Sequence, residues 1–243
     1  MADLDLHGRN RILSAIPEDH QRLMVAQLQE TLLGPSQILY GQGEPLTHVY
    51  FPISSVVSLL TVMEDGESVE VATIGNEGMV GLKLFCGISG DSAKAITQSP
   101  GLAYRMPTQV FNQLACQEPV RTVIDRYLRA LLGQVFLSGG CNRFHSVTER
   151  FARWLLMMQD RSGVDEFPFT QEFLAEILGV RRQSVAVMET TLEKARFIKP
   201  GRGKVAILDR KGLESIACEC YRRVRDEWEF SFGPDSAKAA LES

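Results

Sequence analysis

Apolar residues recur every three or four positions between residues 169 and 198, and this pattern predicts two helices joined by a tight turn. Thr170 is a suitable N-cap for the first helix, and Gly179 suits a turn that requires a positive φ. The apolar face of the first helix comprises Phe173, Leu174, Ile177 and Leu178. That of the second comprises Val185, Met188, Leu192 and Ala195. The segment is therefore predicted to be a helix-turn-helix.

Polar side chains are concentrated at the start of the second helix. They are Arg181, Arg182, Gln183 and Ser184. In helix-turn-helix proteins this end enters the major groove, where arginine pairs with guanine and glutamine with adenine through bidentate hydrogen bonds. Two amphipathic helices joined by glycine also occur in all-α domains that never contact nucleic acid, so the pattern alone leaves both interpretations open.

A basic hairpin is predicted directly after the second helix. The sequence from residue 198 to residue 208 is typical of two strands joined by a glycine-rich turn. The turn carries Arg202 and Lys204. Such a wing can reach a neighbouring phosphate backbone, and this favours DNA binding. We expect Arg202 and Lys204, together with Thr170 and Gln171, to lie near phosphates, and Arg182 and Gln183 to read base edges. Arg181 and Ser184 are expected to contact backbone or base.

These motifs resemble the C-terminal domain of the cyclic-AMP receptor protein and FNR (CRP/FNR) family of bacterial transcription regulators. The resemblance implies an α+β fold with an N-terminal jelly-roll β-barrel sensor domain, a long dimerisation helix and a C-terminal winged helix-turn-helix. Arg182 matches the family's first base-reading arginine. Gln183 and Val187 replace an acidic residue and a second arginine, so the family's best-known operator is not expected here.

The rest of the chain follows this layout. Turn residues separate short β-type runs between residues 37 and 106, whereas residues 10–33 are predicted to form two helices divided by Pro17. We divide the chain into a sensor domain (residues 1–119), a dimerisation helix and hinge (120–145), the DNA-binding domain (146–225) and a disordered tail (226–243). The hinge is placed after Gly139 and Gly140, before a capping-box sequence that begins at Ser146.

The resemblance also implies an effector pocket in the sensor domain. In the family, a glutamate in a glycine-containing loop holds the ribose of a cyclic nucleotide, and a nearby arginine pairs with its phosphate. Residues 84–104 contain no arginine, and Asp91 stands where that arginine would be. Lys94 cannot reproduce the bidentate geometry. The pocket residues so implied are Gly75, Asn76, Glu77, Gly78, Met79, Ser92 and Lys94. We expect an effector other than cyclic AMP, or none.

The long helical stretch after Pro119 carries an apolar seam at alternating steps of four and three residues. The seam comprises Ile124, Leu128, Leu131 and Val135. This spacing is typical of two helices packed along each other, and it predicts a homodimer with two-fold symmetry. The alternative is a helix that packs only on its own domain, with further apolar residues that widen the face.

The charge distribution changes between the two halves. The net charge of −4 at first argues against nucleic acid, but residues 1–120 carry 6 Lys and Arg against 13 Asp and Glu, whereas residues 170–225 carry 12 against 7. The cations are therefore concentrated around the helix-turn-helix. A cyclic-nucleotide signalling module or a nonspecific nucleic-acid scaffold remains the alternative to a sequence-specific regulator. RNA polymerase is a candidate partner that follows from the family.

Candidate chemistry is sparse. His48 alone lies in the strand region, too few histidines for a jelly-roll metalloenzyme, and no catalytic triad or Walker-type loop is evident. The five cysteines are scattered, and Cys218 and Cys220 on one helix would point in different directions. We therefore expect no enzyme activity, cofactor or metal site. The absence of a long apolar run predicts a cytoplasmic protein with no membrane association.

Overall fold

The structure is a computed structural model that describes residues 9–81 and 93–233. Its N-terminal part begins with two short helices, α1 (Arg11–Ala15) and α2 (Glu18–Val25), and continues into antiparallel strands. These strands are β1 (Gln29–Leu33), β2 (Ile38–Tyr40), β3 (His48–Pro52), β4 (Val56–Val62), β5 (Ser68–Ile74), β6 (Lys94–Ser99) and β7 (Gly101–Pro107).

The strands form two sheets, as the sensor-domain prediction requires. One has the order β1-β7-β3 and the other β2-β6-β4-β5. Val49, Phe51 and Tyr104 of the first sheet and Val57 and Leu60 of the second are fully buried in one continuous core. A β-sheet buries alternate residues, and these apolar positions therefore fix which face of each sheet points inward.

Two strands differ from the sequence-based prediction. The apolar pattern places residues 29–33 in a helix, but they form β1, which pairs with β7 from Gln29 to Leu33. Leu32 is 72% exposed, whereas Leu33 is buried, which is the alternation of a strand with one solvated face. β6 escapes prediction because its polar residues Thr97, Gln98 and Ser99 are buried and carry no apolar alternation.

Two helices follow the barrel, α3 (Thr108–Ala115) and α4 (Glu118–Phe144). Pro119 lies in the first turn of α4, where its missing N–H costs nothing. The 27-residue helix α4 continues through Gly139 and Gly140 to Phe144, so the chain leaves the helix only at His145, within the range in which the hinge was placed. A helix interior tolerates glycine at a cost of about 1 kcal/mol, which packing elsewhere in α4 overcomes.

The C-terminal part begins at α5 (Val147–Ser162), whose N-terminus is held by the predicted capping box of Ser146 and Glu149. It continues as β8 (Glu166–Pro168), α6 (Gln171–Leu178), α7 (Arg182–Lys194), β9 (Ile198–Gly201), β10 (Lys204–Ile207) and α8 (Arg210–Ile216). The three strands form one antiparallel sheet with the order β8-β10-β9. The helix-turn-helix and its wing are thus present, with β8 as an additional strand.

A last helix, α9 (Cys220–Phe232), corrects the prediction of a disordered tail from residue 226. Trp228 is buried, and its ring lies 5.7 Å from that of Tyr127 on α4. Arg129 of α4 lies over the ring of Phe230 at 4.2 Å. These contacts give α9 a packed face, which its highly charged sequence does not predict. Residues 234–243 lie outside the described residues.

Candidate nucleic-acid interface and sensor loop

The helix-turn-helix is built by local signals. The backbone N–H of Phe173 donates to the Thr170 hydroxyl at 3.1 Å, so Thr170 is the N-cap of α6. Gly179 ends α6 with a φ of 59°, in the left-handed region that favours glycine. Val185, Met188 and Leu192 are buried as predicted. Ala195 is exposed because it lies at the C-cap of α7, beyond the packed face.

The predicted base-reading residues lie at the start of α7. Arg181, Arg182 and Gln183 are exposed, and Ser184 is partly exposed. The Arg182 guanidinium forms an ion pair with Glu172 at 2.6 Å, and its Nε donates to the Gln171 side chain at 3.4 Å. These contacts cross from α7 to α6. They fix the Arg182 guanidinium at the surface without burying it.

The wing lies next to this surface. Phe169, which precedes α6, donates its backbone N–H to the Gly203 carbonyl at 3.0 Å, so the tip of the hairpin is tied to the start of the helix-turn-helix. Lys204 is paired with Glu166 of β8 at 2.9 Å. Arg202 is exposed and, like Arg181, forms no ion pair with any carboxylate of the described residues. All eight predicted DNA-contacting residues thus belong to neighbouring elements of one domain.

The predicted sensor loop is covered. Glu77 and Arg161 form a buried ion pair at 2.6 Å, with side chains 8% and 7% exposed. Arg161 belongs to α5 of the C-terminal domain, so the carboxylate that would hold a ribose in the family is bound to the chain's own guanidinium. The second contact of this carboxylate is local, since the backbone N–H of Gly75 donates to Glu77 at 3.2 Å.

Three further hydrogen bonds hold this loop. The Asn10 amide donates to the Gly78 carbonyl at 2.9 Å, and the backbone N–H of Arg11 donates to the Asn76 carbonyl at 2.8 Å. The Tyr127 hydroxyl of α4 donates to the Met79 carbonyl. Burial raises the pKa of Tyr127 above its usual value, which keeps it protonated as a donor. The loop is therefore fixed from the N-terminus, α4 and α5.

The predicted pocket residues do not form a single group. Residues 75–79 lie together, but the Lys94 ammonium donates to Glu176 of α6 at 3.2 Å. Lys94 thus links the sensor sheet to the helix-turn-helix. Ser92 and Asp91 lie outside the described residues. Val69 of β5 lies at the same contact between the domains, where a Cβ added to Gly179 would meet its side chain at 3.1 Å.

A polar cluster that sequence analysis missed lies inside the barrel. Glu70 is buried and accepts hydrogen bonds from Ser58 at 2.6 Å and Thr73 at 2.8 Å. Burial raises the pKa of Glu70, and these two hydrogen bonds oppose the shift. The available signal was the alternation along β5, where Val69 and Val71 face outward and Glu70 faces inward. The contacts of α6 with β5 explain why apolar valines face outward from this sheet.

Two of the four predicted seam residues are covered within the protomer itself. Ile124 is fully buried and Leu131 is 9% exposed, because both face the protomer's own core. Leu128 and Val135 are partly buried at its edge. Leu132 and Phe136, each one residue after a predicted seam position, are 44% and 74% exposed. An apolar heptad pattern does not distinguish the helix face that packs on its own protomer from the face that stays exposed.

The expectation for the cysteines rested on a wrong premise. Cys218 precedes α9 and only Cys220 lies within it, so the two thiols are not fixed on opposite sides of one helix. Cys141, His145, Cys218 and Cys220 come together, with one ligand atom of each within 4.8 Å of the others. No sequence spacing joins residues 141 and 218, and only the packing of α9 on α4 does so.

No helix of residues 9–81 and 93–233 combines the length and hydropathy of a membrane-spanning segment.

Comparison with known proteins identifies both domains. The family model of the Crp-like helix-turn-helix domain matches residues 149–216, and that of the cyclic nucleotide-binding domain matches residues 31–118. Comparison with curated protein sequences gives no significant match.

Solved structures share the fold at low sequence identity. FixK2 from Bradyrhizobium japonicum is 16% identical with a TM-score of 0.66, over 79% of this chain and 98% of that one. The c-di-GMP responsive global regulator CLP from Xanthomonas campestris is 16% identical with a TM-score of 0.64, over 79% and 100%. A CRP-family transcriptional regulator from Thermus thermophilus is 17% identical with a TM-score of 0.65, over 77% and 96%. With a cyclic nucleotide-binding domain followed by a Crp-like helix-turn-helix, the chain belongs to the CRP/FNR family of transcription regulators.

Proposed function

We propose that this regulator binds a palindromic operator as a homodimer, through the start of α7 and the wing of each protomer, and is controlled through its sensor domain by an effector other than cyclic AMP. The observation that carries the DNA-binding part is the exposed basic end of α7 beside the basic wing. Arg181 and Arg202 offer guanidinium groups with no ion pair in the described chain. Guanidinium groups are well suited to phosphate and guanine.

Arg182 and Gln183 are assigned to base edges, and the remaining residues position the domain on the backbone. Glu172 and Gln171 support this assignment for Arg182, because they orient its guanidinium before DNA arrives. Lys204 and Arg202 are placed on the phosphates next to the wing. Arg181 and Ser184, at the N-terminal turn of α7, lie where backbone N–H groups also favour a phosphate.

The homodimer is assigned to the exposed strip of α4. Leu132 and Phe136 lie on it, with Leu128 and Val135 at its edge, so the seam is shifted by one position from the sequence-based seam. A second copy of α4 would cover these side chains. Two-fold symmetry would place two α7 helices in successive major grooves, roughly 34 Å apart.

The effector assignment rests on charge. A cyclic phosphate needs a charge-assisted partner, and neither candidate cation is available: Lys94 is bound to Glu176 and Arg161 to Glu77. A neutral effector, or one that binds elsewhere, is therefore favoured.

Selection of binding sites from random DNA tests the first part. A palindromic consensus is expected, and Arg182→Ala should weaken its binding by about 1–3 kcal/mol and relax the preference at one base pair per half-site. Lys194→Ala is the control, because Lys194 lies at the other end of α7, about 18 Å along the helix from Arg182. Salt-sensitive binding without any consensus would instead indicate a nonspecific scaffold.

Light scattering tests the dimer. The wild type is expected to be dimeric at micromolar concentration, and Leu132→Glu with Phe136→Glu should give monomers. Met63→Glu is the control, since Met63 is 59% exposed in the turn between β4 and β5, away from α4. A wild-type monomer that binds palindromic DNA one to one would refute the assignment.

Titration calorimetry tests the effector, with cyclic AMP, cyclic GMP and cyclic di-GMP as probes and operator affinity as the second measurement. Cyclic di-GMP is included because the CLP regulator of similar fold responds to it. Micromolar affinity for cyclic AMP, coupled to tighter operator binding and lost in Glu77→Ala, would overturn the electrostatic argument. Absence of cyclic-AMP binding alongside normal operator binding would support it.

A further inference from the structure

A cluster of three cysteines and one histidine lies where the end of α4 meets the start of α9. Cys141 and Cys218 have their Sγ atoms 3.6 Å apart, and the Cys220 Sγ lies 3.7 Å from His145 Nδ1. The three cysteines are buried, and the His145 side chain is 17% exposed. One ligand atom of each lies within 4.8 Å of the other three.

We propose that these four side chains bind one zinc(II) ion. In a tetrahedral site with zinc–sulfur bonds of about 2.3 Å and zinc–nitrogen bonds of about 2.0–2.1 Å, two sulfurs lie roughly 3.8 Å apart, and a sulfur and a nitrogen roughly 3.6 Å apart. The Cys141–Cys218 and Cys220–His145 contacts, at 3.6 Å and 3.7 Å, have nearly these lengths. Thiolate and imidazole ligands select zinc over magnesium or calcium, which prefer oxygen. Because all four ligands come from protein, the site is structural.

The outer contacts of the cluster suit a metal-bound histidine. His145 Nε2 lies 3.0 Å from the Glu219 carboxylate, so Nε2 carries the proton and the lone pair of Nδ1 faces the thiols. Carboxylate, histidine and zinc in this order is a recurrent arrangement that orients the ring and raises its basicity as a ligand. Glu219 lies between Cys218 and Cys220, so one short segment supplies two of the ligands and the carboxylate that orients His145.

Charge compensation points the same way. Three thiolates, one neutral imidazole and Zn²⁺ carry a net charge of −1. The Arg153 guanidinium of α5 is buried at 5% exposure and acts electrostatically on all three thiols. Its Nε has no hydrogen-bond acceptor among the described residues. A buried cation is stabilised by negative groups near it, and a zinc–thiolate group would supply one in addition to Glu70.

Two alternatives, a disulfide and an iron–sulfur cluster, explain the arrangement of these four side chains less well. A disulfide between Cys141 and Cys218 would leave Cys220 and the oriented His145 without a role. An iron–sulfur cluster holds its ligands around a body of several atoms, farther apart than four ligand atoms that already lie within 4.8 Å. A single ion uses all four groups at once.

The ion would join two parts of the chain that are distant in sequence. Cys141 and His145 lie at the end of the helix that leads from the sensor domain, whereas Cys218 and Cys220 follow the winged helix-turn-helix. Zinc would therefore fasten the C-terminal end of the DNA-binding domain to α4. An open cavity of about 770 Å³, lined by Cys141, His145 and Cys220 among others, gives the ion a route from solvent.

Elemental analysis of the full-length protein, purified under reducing conditions with zinc in the medium, tests the proposal. One zinc per chain is expected, and Cys220→Ser or Cys141→Ser should reduce it to near zero. Cys116→Ser is the matched control, because Cys116 is exposed at the end of α3 and should leave the zinc content unchanged. Glu219→Gln should keep the stoichiometry but weaken zinc affinity about 10- to 100-fold.

The wild type provides a test that does not depend on a variant's folding. Removal of zinc with a chelator should lower the melting temperature, and zinc should restore it, whereas magnesium should not. Cobalt(II) in its place should give the visible absorption of a tetrahedral thiolate site. Zinc-free wild type that takes up no zinc after reduction, or an intact Cys141–Cys218 disulfide in anaerobically purified protein, would overturn the proposal.

Discussion

The proposed DNA-binding surface and the sensor loop both contain an arginine paired with a glutamate, yet the two pairs lie in opposite environments. Arg182 and Glu172 are 65% and 63% exposed, whereas Arg161 and Glu77 are 7% and 8% exposed. The first pair orients a guanidinium that stays available to a ligand. The second joins two domains and removes both charges from solvent. Residue type alone therefore does not tell a binding group from a structural one, and burial decides.

The largest effect is expected from breaking the buried pair. Arg161→Met leaves the Glu77 carboxylate buried without its partner and should lower the free energy of unfolding by about 3–5 kcal/mol, measured by urea denaturation. Arg182→Met is the matched control, and the loss of its exposed pair should cost no more than about 1 kcal/mol. The double variant Glu77→Met with Arg161→Met should recover most of the loss. Equal costs for the two single variants would remove the contrast.

A smaller effect is expected at the turn of the helix-turn-helix, where the two regions meet. Gly179→Ala places a Cβ in the left-handed region and against Val69 of the sensor sheet. Gly163→Ala meets the same conformational cost, about 1–2 kcal/mol, at a φ of 70° with nothing within 4 Å. Gly179→Ala should therefore cost more, and addition of Val69→Ala should recover the difference. Identical melting temperatures for the two alanine variants would show that the domains are not in contact there.

The salt dependence of DNA binding tests the exposed member of this comparison, the proposed DNA-binding surface. Lys204→Ala should lower the slope of log affinity against log salt by about one, because one phosphate contact is lost. Lys194→Ala, with a lysine that is also exposed at the other end of α7, should leave the slope unchanged. Filter binding or fluorescence anisotropy at several salt concentrations measures it. A Lys204 variant with the wild-type slope would place the wing away from DNA.

The smallest effect concerns Glu70 in the barrel. Its pKa is raised by burial, so its folded state favours the protonated form and its contribution to stability falls as pH rises from the unfolded pKa through the folded pKa. Glu70→Gln should therefore gain stability relative to the wild type as pH increases through that window. Urea denaturation of both proteins across the range measures the difference. A difference that shrinks with rising pH would show that the carboxylate is stabilised as an anion by its hydroxyl donors and by Arg153 and Arg161.

What the sequence predicted correctly was local. The caps at Thr170 and Ser146, the turn at Gly179 and the wing each follow from a few adjacent residues, and the structure contains them all. The errors concern contacts between distant segments. No residue near Glu77 in the sequence indicates that Arg161 is its partner. Likewise, no residue near Cys141 indicates its contact with Cys218. The burial of Ile124 and Leu131 within the protomer was not predicted either, because helical periodicity reports which residues share a face, but not which face the rest of the protomer covers.

The covered face of β5 has a practical consequence for studying the domains apart. Val69 and Val71 point away from the barrel, and Glu77 faces a cation supplied by α5. A sensor fragment that ends before α5 would lack both the helix that covers these valines and the cation that pairs with Glu77. Such a fragment is expected to self-associate through this surface. Ligand screening on an isolated sensor domain would therefore sample a surface that the intact chain conceals.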